Sequence, residues 1–160
     1  MKIINIKNKK EALEILERFK QREQKGVEIK ITNVHLCRIN DLVGEKIFSK
    51  NDLYVNGETL FDIMQPVGGK GKHNHHGLNK EIILAVLNNA YQPIGIYTAN
   101  KRYIIATIVV NNTNEHLVLV VERKAPLRND RDANINKLIT IYPRRNILEA
   151  IFKRRGKIIK

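Results

Sequence analysis

Apolar and polar positions change their period along the chain, and each change predicts an element. Over residues 8 to about 24, Ala12, Leu13, Ile15, Leu16 and Phe19 recur at helical spacing among Lys, Glu, Arg and Gln. This predicts an amphipathic helix, stopped near Gly26. Val27–Ile31 then alternates strictly, which suits a strand with one buried face. Leu53-Tyr54-Val55 before Asn56-Gly57 reads as a short strand, and Leu60–Met64 as a short helix ending near Pro66. Asn79 is positioned as an N-cap with Glu81 in the first turn behind it. Ile82, Ile83, Val86, Leu87 and Ala90 then form one stripe of a helix closed by Pro93. From Tyr103 the apolar runs become compact and β-branched: Tyr103–Val110 and His116–Val121 flank a polar Asn111–Glu115 turn and predict an antiparallel hairpin. Arg123–Asn134 reads as a polar loop. Lys137–Tyr142 reads as a third strand, with Ile139 and Ile141 facing the core and Leu138, Thr140 and Tyr142 facing the other way. Ile147, Leu148, Ile151 and Phe152 mark a last helix stopped by Gly156, and Lys157–Lys160 reads as an edge strand.

These elements predict an α+β fold in one domain. An N-terminal helix and strand and a central helix come first, then an antiparallel sheet of about four strands with a C-terminal helix. Residues 1–49 read as a scaffold segment and 50–160 as the core carrying function.

Composition narrows the chemistry. The 160 residues suffice to bury a real core, no apolar run is long enough to span a membrane, and the start has no signal-peptide pattern. The single cysteine, Cys37, rules out an internal disulfide and suits a reducing cytoplasm. His35 and Cys37, two apart, would share a strand face, although nothing nearby would orient such a pair for catalysis. The net charge is +13, and it is uneven. Residues 1–65 hold 12 Lys+Arg against 10 Asp+Glu, whereas residues 66–160 hold 17 against 6. A polyanion at the C-terminal half fits this asymmetry best; solvated surface lysines and a membrane surface are the other two readings.

One stretch concentrates the reactive side chains: Gly68-Gly69-Lys70-Gly71-Lys72-His73-Asn74-His75-His76-Gly77-Leu78. Glycines let a backbone approach a ligand, lysines bring positive charge, and histidine exchanges protons near neutral pH. Proton transfer or phosphate binding, metal ligation, and a plain solvated loop are all open readings. Gly71-Lys72 is followed by His73 where a P-loop needs Ser or Thr, so nucleotide hydrolysis of that kind is excluded. Ser49 is the only serine and lacks a Gly-x-Ser-x-Gly setting, and no carboxylate pair suits glycoside hydrolysis. No cysteine or carboxylate completes a zinc set, and no cofactor is called for. RNA cleavage remains, because the 2′-hydroxyl of RNA supplies its own nucleophile. The protein then needs only proton carriers, for which His73, His75 and His76 serve, and cations such as Lys70, Lys72, Arg144 and Arg145. Thr140 and Tyr142 could hydrogen-bond a phosphate or stack a base, or form an ordinary packed strand pair.

The series His76-Gly77-Leu78-Asn79, a helix, Gln92–Tyr97, two apolar strands, Thr140-Ile141-Tyr142 and a final helix with Gly156 resembles the C-terminal toxin domain of phage MuF-type proteins. That domain belongs to the barnase–EndoU–colicin–RelE-like nuclease superfamily, and the resemblance covers roughly residues 50–160. It implies a barnase/RelE-like fold and a metal-independent endoribonuclease, with Lys72, His73, His76, Thr140 and Tyr142 in the site. It also implies a toxin or a phage- or plasmid-borne effector acting on RNA, with a cognate antitoxin or inhibitor protein as a further partner. The glycine-rich insert and the extra His75 leave open which histidine takes the family's position. A non-catalytic basic nucleic-acid-binding module, or an inactivated nuclease domain, is the alternative.

Overall fold

A computed structural model of the chain describes residues 1–68, 73–127 and 129–159. Along the chain run β1 (Lys2–Asn5), α1 (Lys9–Gln21), β2 (Glu28–Thr32), α2 (Arg38–Val43), β3 (Leu53–Asn56) and α3 (Gly57–Met64). There follow α4 (Lys80–Asn89), β4 (Gly95–Ala99), β5 (Arg102–Val110), β6 (His116–Leu127), β7 (Asp130–Arg144), α5 (Ile147–Lys153) and β8 (Lys157–Ile158).

The fold is α+β, but the sheet is not the antiparallel four-stranded sheet expected of a barnase/RelE-like chain. Among the described residues it is one mixed sheet of eight strands in the order β1-β2-β3-β7-β6-β5-β4-β8, with five helices. β1 pairs parallel to β2 and β3 parallel to β7, while the other neighbours are antiparallel. Three features of the sequence hid the extra strands. β1 and β4 are four and five residues long, too short for an alternation to stand out. Of Arg123–Asn134, read as a loop from its polarity, Arg123–Leu127 and Asp130–Asn134 are instead the far end of the β6–β7 ribbon, and their side chains stand largely in solvent. The N-terminal strands join the later ones edge to edge, so residues 1–49 contribute to the same sheet and core as residues 50–160.

The sheet buries both faces. On one, α1, α3 and α4 cover Ile29, Ile31, Leu53, Val55, Ile105, Leu117, Leu119 and Val121. On the other, Ile147, Ala150 and Ile151 of α5 cover Tyr97, Ala106 and Val118. Burial on both faces is why β5 and β6 read as continuous apolar runs instead of alternating ones.

β7 joins the two halves. Its Asn136 and Lys137 pair with Leu53 and Tyr54 of β3, and Asn136, 3% exposed, donates its side-chain amide to the carbonyls of Lys50 at 2.7 Å and Asp52 at 3.3 Å. One residue further on, the register breaks. Val120 faces Thr140 but Val121 faces Leu138, so Ile139 is the extra residue of a β-bulge. The bulge reverses part of the expected alternation. Leu138 packs with Ile141 in the helix-covered core, while Ile139 turns to the other face beside Tyr142. Because removal of a buried donor leaves two carbonyls without their partner, Asn136→Ala should cost about 2 kcal/mol. Urea unfolding followed by circular dichroism checks this, and an unchanged midpoint would show that the junction does not depend on the amide.

Candidate functional site

The loop between α3 and α4 carries the histidines and is pinned at its neck. The Gly77 N–H donates to Gln65 O at 2.7 Å and the Leu78 N–H to Ile63 O at 3.0 Å. Gly77 has φ +62°, a left-handed conformation that glycine adopts without strain. Leu78 is buried, and Asn79 caps α4 by accepting from the Ile82 N–H at 2.8 Å. His76 precedes this neck. Its ring lies 5.8 Å from that of Tyr142, tilted by 38°. His75 Nε2 sits 3.6 Å from Asp62 Oδ1 on α3, and His73 is exposed. Lys70 and Lys72, with most of the glycine run, lie outside the described residues.

Tyr142 also lines a cleft of about 530 Å³ on the face of the sheet shared with α5. Ile104, Val120, Ile139 and Thr140 form its floor with the ring of Tyr97. Asp62 and Asn74 stand on the histidine side, and Asn100, Arg102, Arg144 and Arg154 around the rest. Thus Thr140, Tyr142 and Arg144 come together in one cleft, His75 reaches it through Asp62, and His76 reaches it through Tyr142 without lining it. Arg145 does not line it. Its Nε instead lies 3.3 Å from Glu115 Oε2.

The three arginines come from three elements: Arg102 opens β5, Arg144 ends β7 and Arg154 caps α5. Among the described residues none of them is in an ion pair, so their charge is available to an anion. Gly156 lets the chain after α5 approach this closely. A Cβ there would meet Ile96 O at 2.4 Å and Tyr97 Cβ at 2.6 Å. A neighbouring groove of about 550 Å³, beside Tyr54, has Lys25 and Lys137 offset by Glu28 and Glu58, and no histidine lines it. The arginines without carboxylate partners and the nearby histidines gather instead at the slightly smaller cleft.

Two buried oxygens there have no hydrogen-bond partner, Tyr97 Oη and Thr140 Oγ1. Leaving such a group unpaired costs about 1–3 kcal/mol. Burial pushes the Tyr97 hydroxyl above its ordinary value, with Tyr142 adding to the rise and Arg144 and Arg154 opposing it. His76 moves below its ordinary value, chiefly through burial and then through the nearby His75 and His73. Its imidazole is accordingly neutral near pH 7 and able to accept a proton. Among the described residues no three His, Cys, Asp or Glu side chains gather as metal ligands would. Cys37 lies before α2, not on a strand shared with His35; its thiol donates to Phe48 O at 3.5 Å and is pushed up by burial.

Tyr97, Arg102, Arg154, Asp62 and Asn74 were not assigned to a site from the sequence. A signal existed for two of them: Gly95–Ala99 and Arg102 flank Asn100-Lys101, a polar break typical of a hairpin, and so would share a sheet. No protein-family model, curated protein or solved structure matches the chain.

The lowered His76 value carries a sign for stability. The unfolded imidazole takes up its proton first as pH falls, so stability drops through and below pH about 6.5. His76→Gln should flatten this acid-side loss. Melting temperatures measured between pH about 7.5 and about 5 check it, and wild-type and variant curves that run parallel would rule out a depressed His76.

Proposed function

We propose that the chain is a metal-independent endoribonuclease that cleaves RNA through its 2′-hydroxyl. The observation that carries this reading is the contact of the half-buried His76 with Tyr142, on the wall of a cleft ringed by Arg102, Arg144 and Arg154. The 2′-oxygen attacks the adjacent phosphorus while His76 accepts its proton, directly or across Tyr142. The P–O5′ bond breaks and the leaving 5′-oxygen takes a proton from the site, with His75 and Tyr142 as the nearest donors. The arginines carry the charge that grows on the phosphorane. The product is a 2′,3′-cyclic phosphate. His73, exposed beside Asn74, is a further proton carrier in this reading.

The resemblance to MuF-type toxin domains makes the proposed biological role that of a toxin or of a phage- or plasmid-borne effector. It would act in the cytoplasm and be held in check by a cognate antitoxin or inhibitor protein. No helix among the described residues is long and apolar enough to cross a membrane. A second reading, a basic module that binds nucleic acid without cutting it, draws on one observation: His76 touches Tyr142 but does not itself line the cleft.

Purified protein incubated with total RNA in EDTA separates the two. Wild type should cut, leaving 2′,3′-cyclic ends, and His76→Ala should be slower by roughly 10²–10⁴-fold, the usual worth of a proton-transfer group. RNA that survives equally with both proteins rejects the enzyme, and salt-dependent binding without cleavage supports the second reading.

A further inference from the structure

The cleft offers more than sites for phosphates. Ile104, Val120 and Ile139 form its floor, with the rings of Tyr97 and Tyr142 beside them. A sugar–phosphate backbone gains nothing from such a surface, since its charge seeks the arginines at the rim. A duplex keeps its base faces stacked inside, so only an unpaired base can cover apolar and aromatic side chains in this way. A volume of about 530 Å³ lies in the range of pockets that enclose one small organic group.

A second observation is independent of the floor. Tyr97, only 3% exposed, and Thr140 bring to this cleft hydroxyls that no protein group meets with hydrogen-bond geometry, although Tyr142 lies near enough to interact with that of Tyr97. Neither oxygen is open to solvent, so pairing them with a ligand requires side chains at the rim to shift. A nucleobase combines the two things required: a flat apolar face, and an edge of donors and acceptors.

We propose that the cleft seats one unpaired nucleobase of a single-stranded nucleic acid. Its face lies on the Ile104–Val120–Ile139 floor and the tyrosine rings, its polar edge meets Tyr97 and Thr140, and Arg102, Arg144 and Arg154 hold the flanking phosphates. This names the substrate form of the proposed ribonuclease and rests on that reading for its ligand, but it requires no cleavage.

The test uses a short 2′-O-methyl RNA strand, which cannot be cut through the 2′-oxygen. It is compared with an abasic strand of equal length and with the duplex form. The intact single strand should bind best, with the abasic strand and the duplex weaker by roughly tenfold, the scale of one stacked base. Tyr97→Phe and Thr140→Val should weaken the intact strand several-fold while leaving the melting temperature unchanged or raised, because each removes a buried hydroxyl that has no partner. A hydroxyl serving only the fold would lower the melting temperature instead. Equal binding of intact and abasic strands, variants that bind like wild type, or no binding of any strand would each overturn the proposal. A protein that binds as expected but cuts no RNA keeps the base seat and loses the nuclease reading. One that cuts RNA yet ignores the missing bases loses the base seat alone.

Discussion

Asn136 and the two-residue pairing of β3 with β7 join the three N-terminal strands to the five C-terminal ones. An amide buried at that junction is tolerated because it donates to two carbonyls, from Lys50 and Asp52, that the strand ladder leaves open. Beyond Lys137 no pairing between β3 and β7 is present among the described residues, and β7 continues with α3 beside it in place of a strand. The bulge at Ile139 falls in this stretch. It decides which side chains of β7 face the helices and which enter the cleft on the side of α5.

The cleft sits where α5 stops covering the sheet. Ile147, Ala150 and Ile151 bury one part of that face, and the part left over holds Thr140 and Tyr142. The histidine loop reaches the same place from the opposite side, drawn tight by the backbone of Gln65 and Ile63. A rigid strand surface, a pinned loop and a helix end thus supply different chemistry to one site: hydroxyls, imidazole and guanidinium. Such convergence from separate elements keeps each group in place without support from the others.

Electrostatics follow from the same arrangement. His76 is half-buried and has other imidazoles as neighbours, and both circumstances oppose a second positive charge. Arg144 and Arg154 are exposed, and none of the three arginines has a carboxylate partner among the described residues. Asp62, the acidic group at the cleft, lies beside His75. Anions are thereby favoured in the cleft while a neutral proton acceptor is kept at its edge.

Local patterns in the sequence were enough for the helices α1 and α4, the cap at Asn79, the β5–β6 hairpin and the excess of positive charge toward the C-terminus. Each depends on neighbours within a few positions, where periodicity and capping act. Thr140, Tyr142 and Arg144 were also legible as a strand and its end. The mixed eight-stranded sheet was not, because strand order depends on contacts far apart in sequence, such as Tyr54 with Lys137. Nor were the sides taken by Leu138 and Ile139: a bulge depends on the register of the partner strand, and one extra residue puts the side chains before and after it out of phase. Tyr97, Arg102 and Arg154 gained meaning only when folding placed them around the same cavity. The sequence by itself determined which chemical groups the protein has, and the tertiary structure decided which of them meet.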